Sequence, residues 1–139
     1  MMLHRTASSL AIALVLCSHA QAADGGLAVE LNALKPDTDN CRVTFLATNG
    51  LTAELGKVTL EIALFDASGA IDRLVSLDFK ALAPGKTKVM QFALAGLACE
   101  SVSRVLINNV TACEGDGIDP GACLEGLRTT SRVKPEFGG

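Results

Sequence analysis

Residues 57–69 read KVTLEIALFDASG, a stretch that predicts a β-strand followed by a tight turn. Apolar side chains recur at every second position from Val58 to Leu64, which is the period that a half-buried strand needs. Asp66 then supplies a side chain that can bond its own backbone, and Gly69 can adopt a positive φ at no steric cost. The same strand-then-turn pattern recurs through the rest of the chain.

Seven segments show this pattern, with Gly, Pro, Asn or Asp between them and no long helical periodicity. The predicted strands are 27–34, 41–48, 57–65, 71–80, 86–94, 102–112 and 124–133. Short strands at this spacing are typical of a sandwich, so we predict an all-β fold: a single immunoglobulin-like, seven-stranded antiparallel β-sandwich. Residues 51–56 are expected to form a longer connection that can include a helical turn, and the tail 134–139 is expected to fray.

The first residues of the chain have the pattern of a bacterial signal peptide. A positively charged start precedes an uncharged apolar run at 10–17, which is too short to span a bilayer. Small residues then fit signal peptidase, with cleavage expected after Ala22 and cleavage after Ala20 as the alternative. We therefore assign residues 1–22 to a cleaved signal peptide and residues 23–139 to one periplasmic or secreted domain.

The composition of the mature chain argues against several functional classes. Both histidines, His4 and His19, lie in the predicted signal peptide, and Trp and Tyr are absent. Histidine is the usual general base for a Ser or Cys nucleophile and a common metal ligand. We therefore predict a protein that is not an enzyme, with no catalytic residues, cofactor or metal site. A net charge of −3 for the full chain, with scattered Lys and Arg, disfavours nucleic acid as a partner, and no membrane span is expected after signal cleavage.

Four cysteines, Cys41, Cys99, Cys113 and Cys123, remain after the predicted cleavage and allow three disulfide connectivities. Cys113 ends the sixth predicted strand and Cys123 lies at the start of the seventh, so the two face each other across one loop. Cys41 and Cys99 precede or open the second and sixth strands, which run in the same direction if the strands alternate. We therefore predict the disulfides Cys41–Cys99 and Cys113–Cys123. Zinc and redox pairs are disfavoured because no C-x-x-C spacing is present.

The segment between the last two cysteines, CEGDGIDPGAC, is acidic and rich in glycine. Its Gly, Asp and Pro residues are typical of turns, which is the favoured interpretation. A loop closed at its base is also a rigid surface that a partner protein could contact. Calcium is a third alternative, although the spacing is not that of a D-x-D-x-D-G loop and the ion prefers about 6–8 oxygen ligands. The carboxylates that could supply oxygens are Glu114, Asp116, Asp119 and Glu125.

Three segments carry a resemblance to a known family. They are residues 64–69 (LFDASG), residues 82–85 (LAPG) and Phe92. The order is similar to that of small bacterial immunoglobulin-like domains of the FxLYD type, in which a strand ending in Leu-Tyr-Asp is followed by a Gly turn, a Pro-Gly turn and a strand with an inward Phe. Ile62 stands at the position of the first Phe, and Phe65 replaces the Tyr. The resemblance covers residues 41–110 and implies an extracytoplasmic binding or scaffolding module without a catalytic site.

Taken together, these features predict an exported, non-enzymatic binding or structural protein of the bacterial cell envelope that acts through protein–protein contacts. The expected partner is another envelope or extracytoplasmic protein, and a sheet edge or the disulfide-closed loop is the expected contact surface. The alternatives are a small-ligand or calcium carrier that uses the acidic loop 114–119, and an inhibitor of an extracytoplasmic enzyme. The sequence leaves the oligomeric state open.

Overall fold

The alternating segments form the strands of the structure, a computed structural model that describes residues 25–139. The predicted signal peptide, residues 1–22, and the first two residues after it lie outside the described residues. The strands are β1 (Leu27–Asp37), β2 (Asn40–Asn49), β3 (Leu55–Phe65), β4 (Ile71–Leu82), β5 (Thr87–Ala95), β6 (Arg104–Glu114), β7 (Arg128–Ser131) and β8 (Glu136–Gly138). A short 3-10 helix, Cys99–Ser101, lies between β5 and β6.

The strands form two four-stranded sheets that pack face to face around one hydrophobic core. The first sheet has the order β5-β2-β1-β7, and the second has the order β4-β3-β6-β8. Most neighbouring strands are antiparallel, whereas β7 pairs in parallel with β1 and β8 in parallel with β6. Within residues 25–139, no helix has the length and apolar character needed to cross a membrane.

The predicted all-β sandwich is confirmed, and each of the first six predicted strands corresponds to one strand of the structure. The end of the chain differs from the prediction. In place of one strand over 124–133, turns continue to Gly126 and two short strands follow, so residues 25–139 form eight strands with two parallel pairs. Pro135 lacks the N–H that a continuing ladder needs, and the chain crosses from the first sheet to the second between Ser131 and Glu136.

The tail 134–139, which was expected to fray, is instead held against the second sheet, with Phe137 in the core. Phe137 is 9% exposed and pairs in register with Val105 of β6, and Pro135 is also buried. The prediction was wrong because KPEFGG has no alternating pattern of its own. Burial of one phenylalanine ring, worth roughly 2–3 kcal/mol, holds the segment against the sheet.

Phenylalanine rings occupy the centre of the core. Phe45 of β2 lies 5.7 Å from Phe79, 6.2 Å from Phe92 and 5.6 Å from Phe137, measured between ring centroids. Phe79 and Phe92 are themselves 5.4 Å apart. These separations and the tilted ring planes are those that aromatic pairs prefer. The cluster thus joins both sheets, the edge strand β5 and the tail.

A buried asparagine ends β2 and holds the connection to β3. Asn49 is fully buried, and its Nδ2 donates to the main-chain oxygens of Ala53 and Leu82, each at 2.9 Å. Its Oδ1 accepts from the N–H of Leu51 at 2.9 Å. The Asn49 amide therefore supplies hydrogen-bond partners for main-chain oxygens and an N–H that would be costly to bury without them. Residues 51–53 form a bend in place of the helical turn that the sequence allowed.

Phe137→Ala is expected to lower the free energy of unfolding by about 3 kcal/mol, because it leaves a cavity beside Phe45. The measurement is urea unfolding followed by circular dichroism. Phe65→Ala is the matched control. Phe65 is only half-buried and lies outside the core, so its loss should cost about 1 kcal/mol. Equal losses for the two variants would show that the tail does not fill the core.

Candidate functional site

The structure brings both predicted cysteine pairs within bonding distance, at opposite ends of the sandwich. Cys41, at the start of β2, is bonded to Cys99 in the 3-10 helix, with a Cα–Cα distance of 5.1 Å. Cys113, near the end of β6, is bonded to Cys123, with a Cα–Cα distance of 5.9 Å. All four cysteines are therefore used in structural bonds that constrain the unfolded chain.

The loop between Cys113 and Cys123 is folded closely against the sandwich. A side chain at Gly115 would overlap the main-chain oxygen of Glu54, and Ile118 packs against the core. Gly117 has a positive φ of 70°, and Oδ1 of Asp119 accepts from the N–H two residues later at 3.0 Å. These features are those of consecutive turns, and they favour the turn interpretation of Gly115, Gly117 and Asp119.

The acidic side chains of this region point into solvent. Glu114, Asp116, Asp119 and Glu125 are all exposed. In the part of the chain that the structure describes, no group of three or more His, Cys, Asp or Glu side chains is placed so that it could hold a metal ion. The four candidate calcium ligands are therefore not gathered at one point in this structure.

The paired replacement Cys113→Ser with Cys123→Ser is expected to lower the free energy of unfolding by about 2–3 kcal/mol, since that bond closes a short loop. The sequence separation is 10 residues for this bond and 58 for Cys41–Cys99. The paired replacement of Cys41 and Cys99 should therefore cost more, about 4 kcal/mol. Thermal unfolding of both variants gives the comparison, and a wild-type melting temperature for either would contradict it.

The outer face of the second sheet carries an apolar surface that the sequence did not reveal. Ala63 of β3 lies directly between Leu74 of β4 and Leu106 of β6. Phe65 lies beside Ile71, because the register of β3 and β4 shifts between Leu64 and Phe65. Among residues 25–139 four large hydrophobic residues are exposed, and two of them are here: Ile71 is 58% exposed and Leu74 is 53% exposed. We call these five residues the outer apolar patch.

Register explains why the patch faces outward. Leu60, Ile62 and Leu64 of β3 point into the core, so the alternate residues Ala63 and Phe65 lie on the opposite face. Cross-strand neighbours share a face of a sheet, which brings the side chains of the adjacent strands to the same surface. The available signal was the run IALF at 62–65, in which both faces of one strand are apolar.

Polar groups border the outer apolar patch. The guanidinium carbon of Arg104 lies 5.3 Å from the centroid of the Phe65 ring, a favourable cation–π distance. Along β3, Glu61 accepts a hydrogen bond from Nδ2 of Asn108. An apolar centre with a charged and amide border has the composition of a protein-binding surface.

The turn between β3 and β4 fixes one end of the patch. Oδ1 of Asp66 accepts from the N–H and hydroxyl of Ser68, at 2.8 and 2.6 Å, and from the N–H of Ala70 at 3.1 Å. The Ser68 hydroxyl is the largest influence on this carboxyl and, together with the main-chain donors, it holds the pKa of Asp66 below its ordinary value of 3.8. Partial loss of hydration acts in the opposite direction.

Ser68→Ala is therefore expected to raise the pKa of Asp66 toward 3.8, because the hydroxyl donates to the ionised form. Titration of the carboxyl carbon by NMR measures this pKa directly. Ser76→Ala, at an exposed serine of β4, is the control and should leave the titration of Asp66 unchanged. A wild-type Asp66 that titrates at or above 3.8 would be inconsistent with this turn.

Comparison with known proteins supports the fold. No family model matches the chain, and no curated protein matches it. The chain is similar to a solved structure described as the structural characterization of IrmA from Escherichia coli, with a TM-score of 0.57. The sequences are 14% identical, and the match covers 74% of this chain and 89% of IrmA. At that identity the similarity shows a shared fold alone, and the resemblance to FxLYD domains stays a prediction.

Proposed function

We propose that the protein is an exported, non-enzymatic binding module of the bacterial cell envelope, and that it binds another extracytoplasmic protein through the outer apolar patch. The observation that carries this proposal is the exposure of Ile71 and Leu74 on an outward sheet face, beside the half-buried Phe65 and Leu106.

The physical argument rests on the cost of leaving such a surface in water. A solvent-facing sheet surface normally carries polar side chains, whereas this one presents large apolar side chains in adjacent rows. Covering apolar area gains about 25 cal/mol per Å², and adjacent exposed apolar residues with a polar border are typical of protein-binding surfaces. Arg104 and Glu61 at the border would give the contact its orientation and selectivity.

Two further features support export. Two disulfides, together with the lack of a membrane-crossing helix in residues 25–139, are compatible with an exported protein. The predicted signal peptide, residues 1–22, supplies the route. The lack of histidine after that peptide supports a role through surface contact instead of catalysis.

Leu74→Asp tests the proposal, because a charge within the outer apolar patch would have to be dehydrated on binding. A photo-reactive benzophenone amino acid at position 71 is expected to give one dominant covalent adduct in the periplasmic or secreted fraction of the producing bacterium. Adding Leu74→Asp to that chain should lower the adduct yield by a factor of about ten or more. A tenfold loss of affinity corresponds to roughly 1.4 kcal/mol of binding free energy.

Leu124→Asp is the matched control, since it makes the same substitution at another exposed leucine, which follows Cys123 in the chain and lies outside the outer apolar patch. It should leave the adduct yield nearly unchanged. Both variants should melt within a few degrees of the wild type, because surface substitutions cost about 0.5 kcal/mol or less. A yield that is equally reduced by both variants, or by neither, would show that the patch is not the contact surface.

A further inference from the structure

The four edge strands differ in how far they are protected from pairing with another chain. β7 and β8 are only 4 and 3 residues long. β4 is long but irregular, because its register shifts opposite Val58–Thr59, where Lys80 has a positive φ of 60°. Nζ of Lys88 also donates to the main-chain oxygens of Phe79 and Ala81, at 3.4 and 3.2 Å. These three edges therefore carry features that oppose pairing.

The ladder between β5 and β2 shows which main-chain groups lie on the free edge of β5. The N–H of Gly96 donates to the oxygen of Asp39, so the even-numbered residues of β5 direct their main-chain groups toward β2. The odd-numbered residues direct theirs outward, as the 2.7 Å hydrogen bond from Nη1 of Arg73 to the oxygen of Ala95 also indicates. The outward groups that have no neighbouring strand among the described residues belong to Thr87, Val89, Gln91 and Ala93.

β5 carries fewer protecting features than the other edges. Its register with β2 is continuous, and the strand contains no proline. The side chains that accompany its outward groups are uncharged, and Val89 is 61% exposed. Lys88, the charged residue of this strand, reaches across to β4. β5 is therefore the edge of the fold that is open to pairing.

We propose that β5 pairs with β5 of a second copy of this chain, antiparallel about a two-fold axis through Gln91. On such an axis Gln91 lies opposite its own copy and Val89 lies opposite Ala93, and each of these residues has outward main-chain groups. The two four-stranded sheets then join into one continuous sheet. This inference goes beyond the proposed function, and it uses the opposite sheet from the outer apolar patch.

The side chains of β5 complement a second copy of themselves. Val89 lies beside the small Ala93 of the other chain, so the two can approach without overlap. On the inner side, the half-buried Met90 lies opposite Phe92, a favourable thioether–ring pair that occurs twice about the axis. No like charges meet. This pairing also covers the open edge of β5 in both copies, so that the short β7 strands lie at the two ends of the joined sheet.

Gln91→Pro tests the pairing. At this position the N–H faces away from β2, so proline removes the two central hydrogen bonds of the dimer and leaves the ladder with β2 intact. In a dilution series followed by sedimentation velocity, we expect the wild type to form a dimer. The variant should dissociate at concentrations about a hundredfold higher, since each lost hydrogen bond is worth about a factor of ten.

Gln91→Cys provides a second measurement that does not depend on weakening the contact. It places two thiols on the axis at a Cα separation of about 5.5 Å, which a disulfide accepts. Mild oxidation should therefore yield a covalent dimer on a non-reducing gel. Ser76→Cys, at an exposed position in the middle of β4, is the matched control and should stay monomeric.

Sedimentation as a monomer at every concentration would overturn the proposal, as would equal cross-linking of Gln91→Cys and Ser76→Cys. A dimer that is unaffected by Gln91→Pro would overturn it as well, since the contact would lie elsewhere. If Gln91→Pro fails to fold, the cross-linking result decides. Leu74→Asp is expected to leave the dimer unchanged, so failure of the β5 pairing and failure of the patch are distinguishable.

Discussion

The contact on which the rest of the structure depends is the packing of Phe45 between the two sheets. This ring is 1% exposed and contacts Phe79 from the opposite sheet, Phe92 from the adjacent edge strand and Phe137 from the tail. Because the chain has no Trp or Tyr, these rings are its largest apolar side chains. One side chain thereby couples three parts of the fold that are distant in sequence.

Much of the architecture could be predicted from the sequence, because a half-buried strand shows an alternation of apolar and polar residues that is visible in the sequence. Six strands and the connectivity of Cys41, Cys99, Cys113 and Cys123 followed from that pattern and from the directions of the strands. The tail could not be predicted in this way. β8 is only 3 residues long, and its place in the core comes from parallel pairing with β6, a long-range contact that leaves no local signature.

The outer apolar patch could not be predicted from the sequence, for a related reason. Alternation along β3 places Ala63 and Phe65 on the face opposite the core residues, and neither residue by itself marks an exposed apolar surface. Only the register of two neighbouring strands brings Leu74 and Leu106 to either side of Ala63. A surface of this kind is a property of strand pairing, whereas the disulfides could be inferred because they lie at strand ends.

The pairing of β7 with β1 and of β8 with β6 has a consequence for the order in which the molecule can assemble. β1 begins at Leu27, but one of its two neighbouring strands is formed by residues 128–131. The ring of Phe137, which packs against Phe45 in the core, comes later still in the chain. A polypeptide that is synthesised N-terminus first cannot complete either sheet until residues 128–138 have left the ribosome. Both sheets are therefore completed late in synthesis, after most of the chain has emerged.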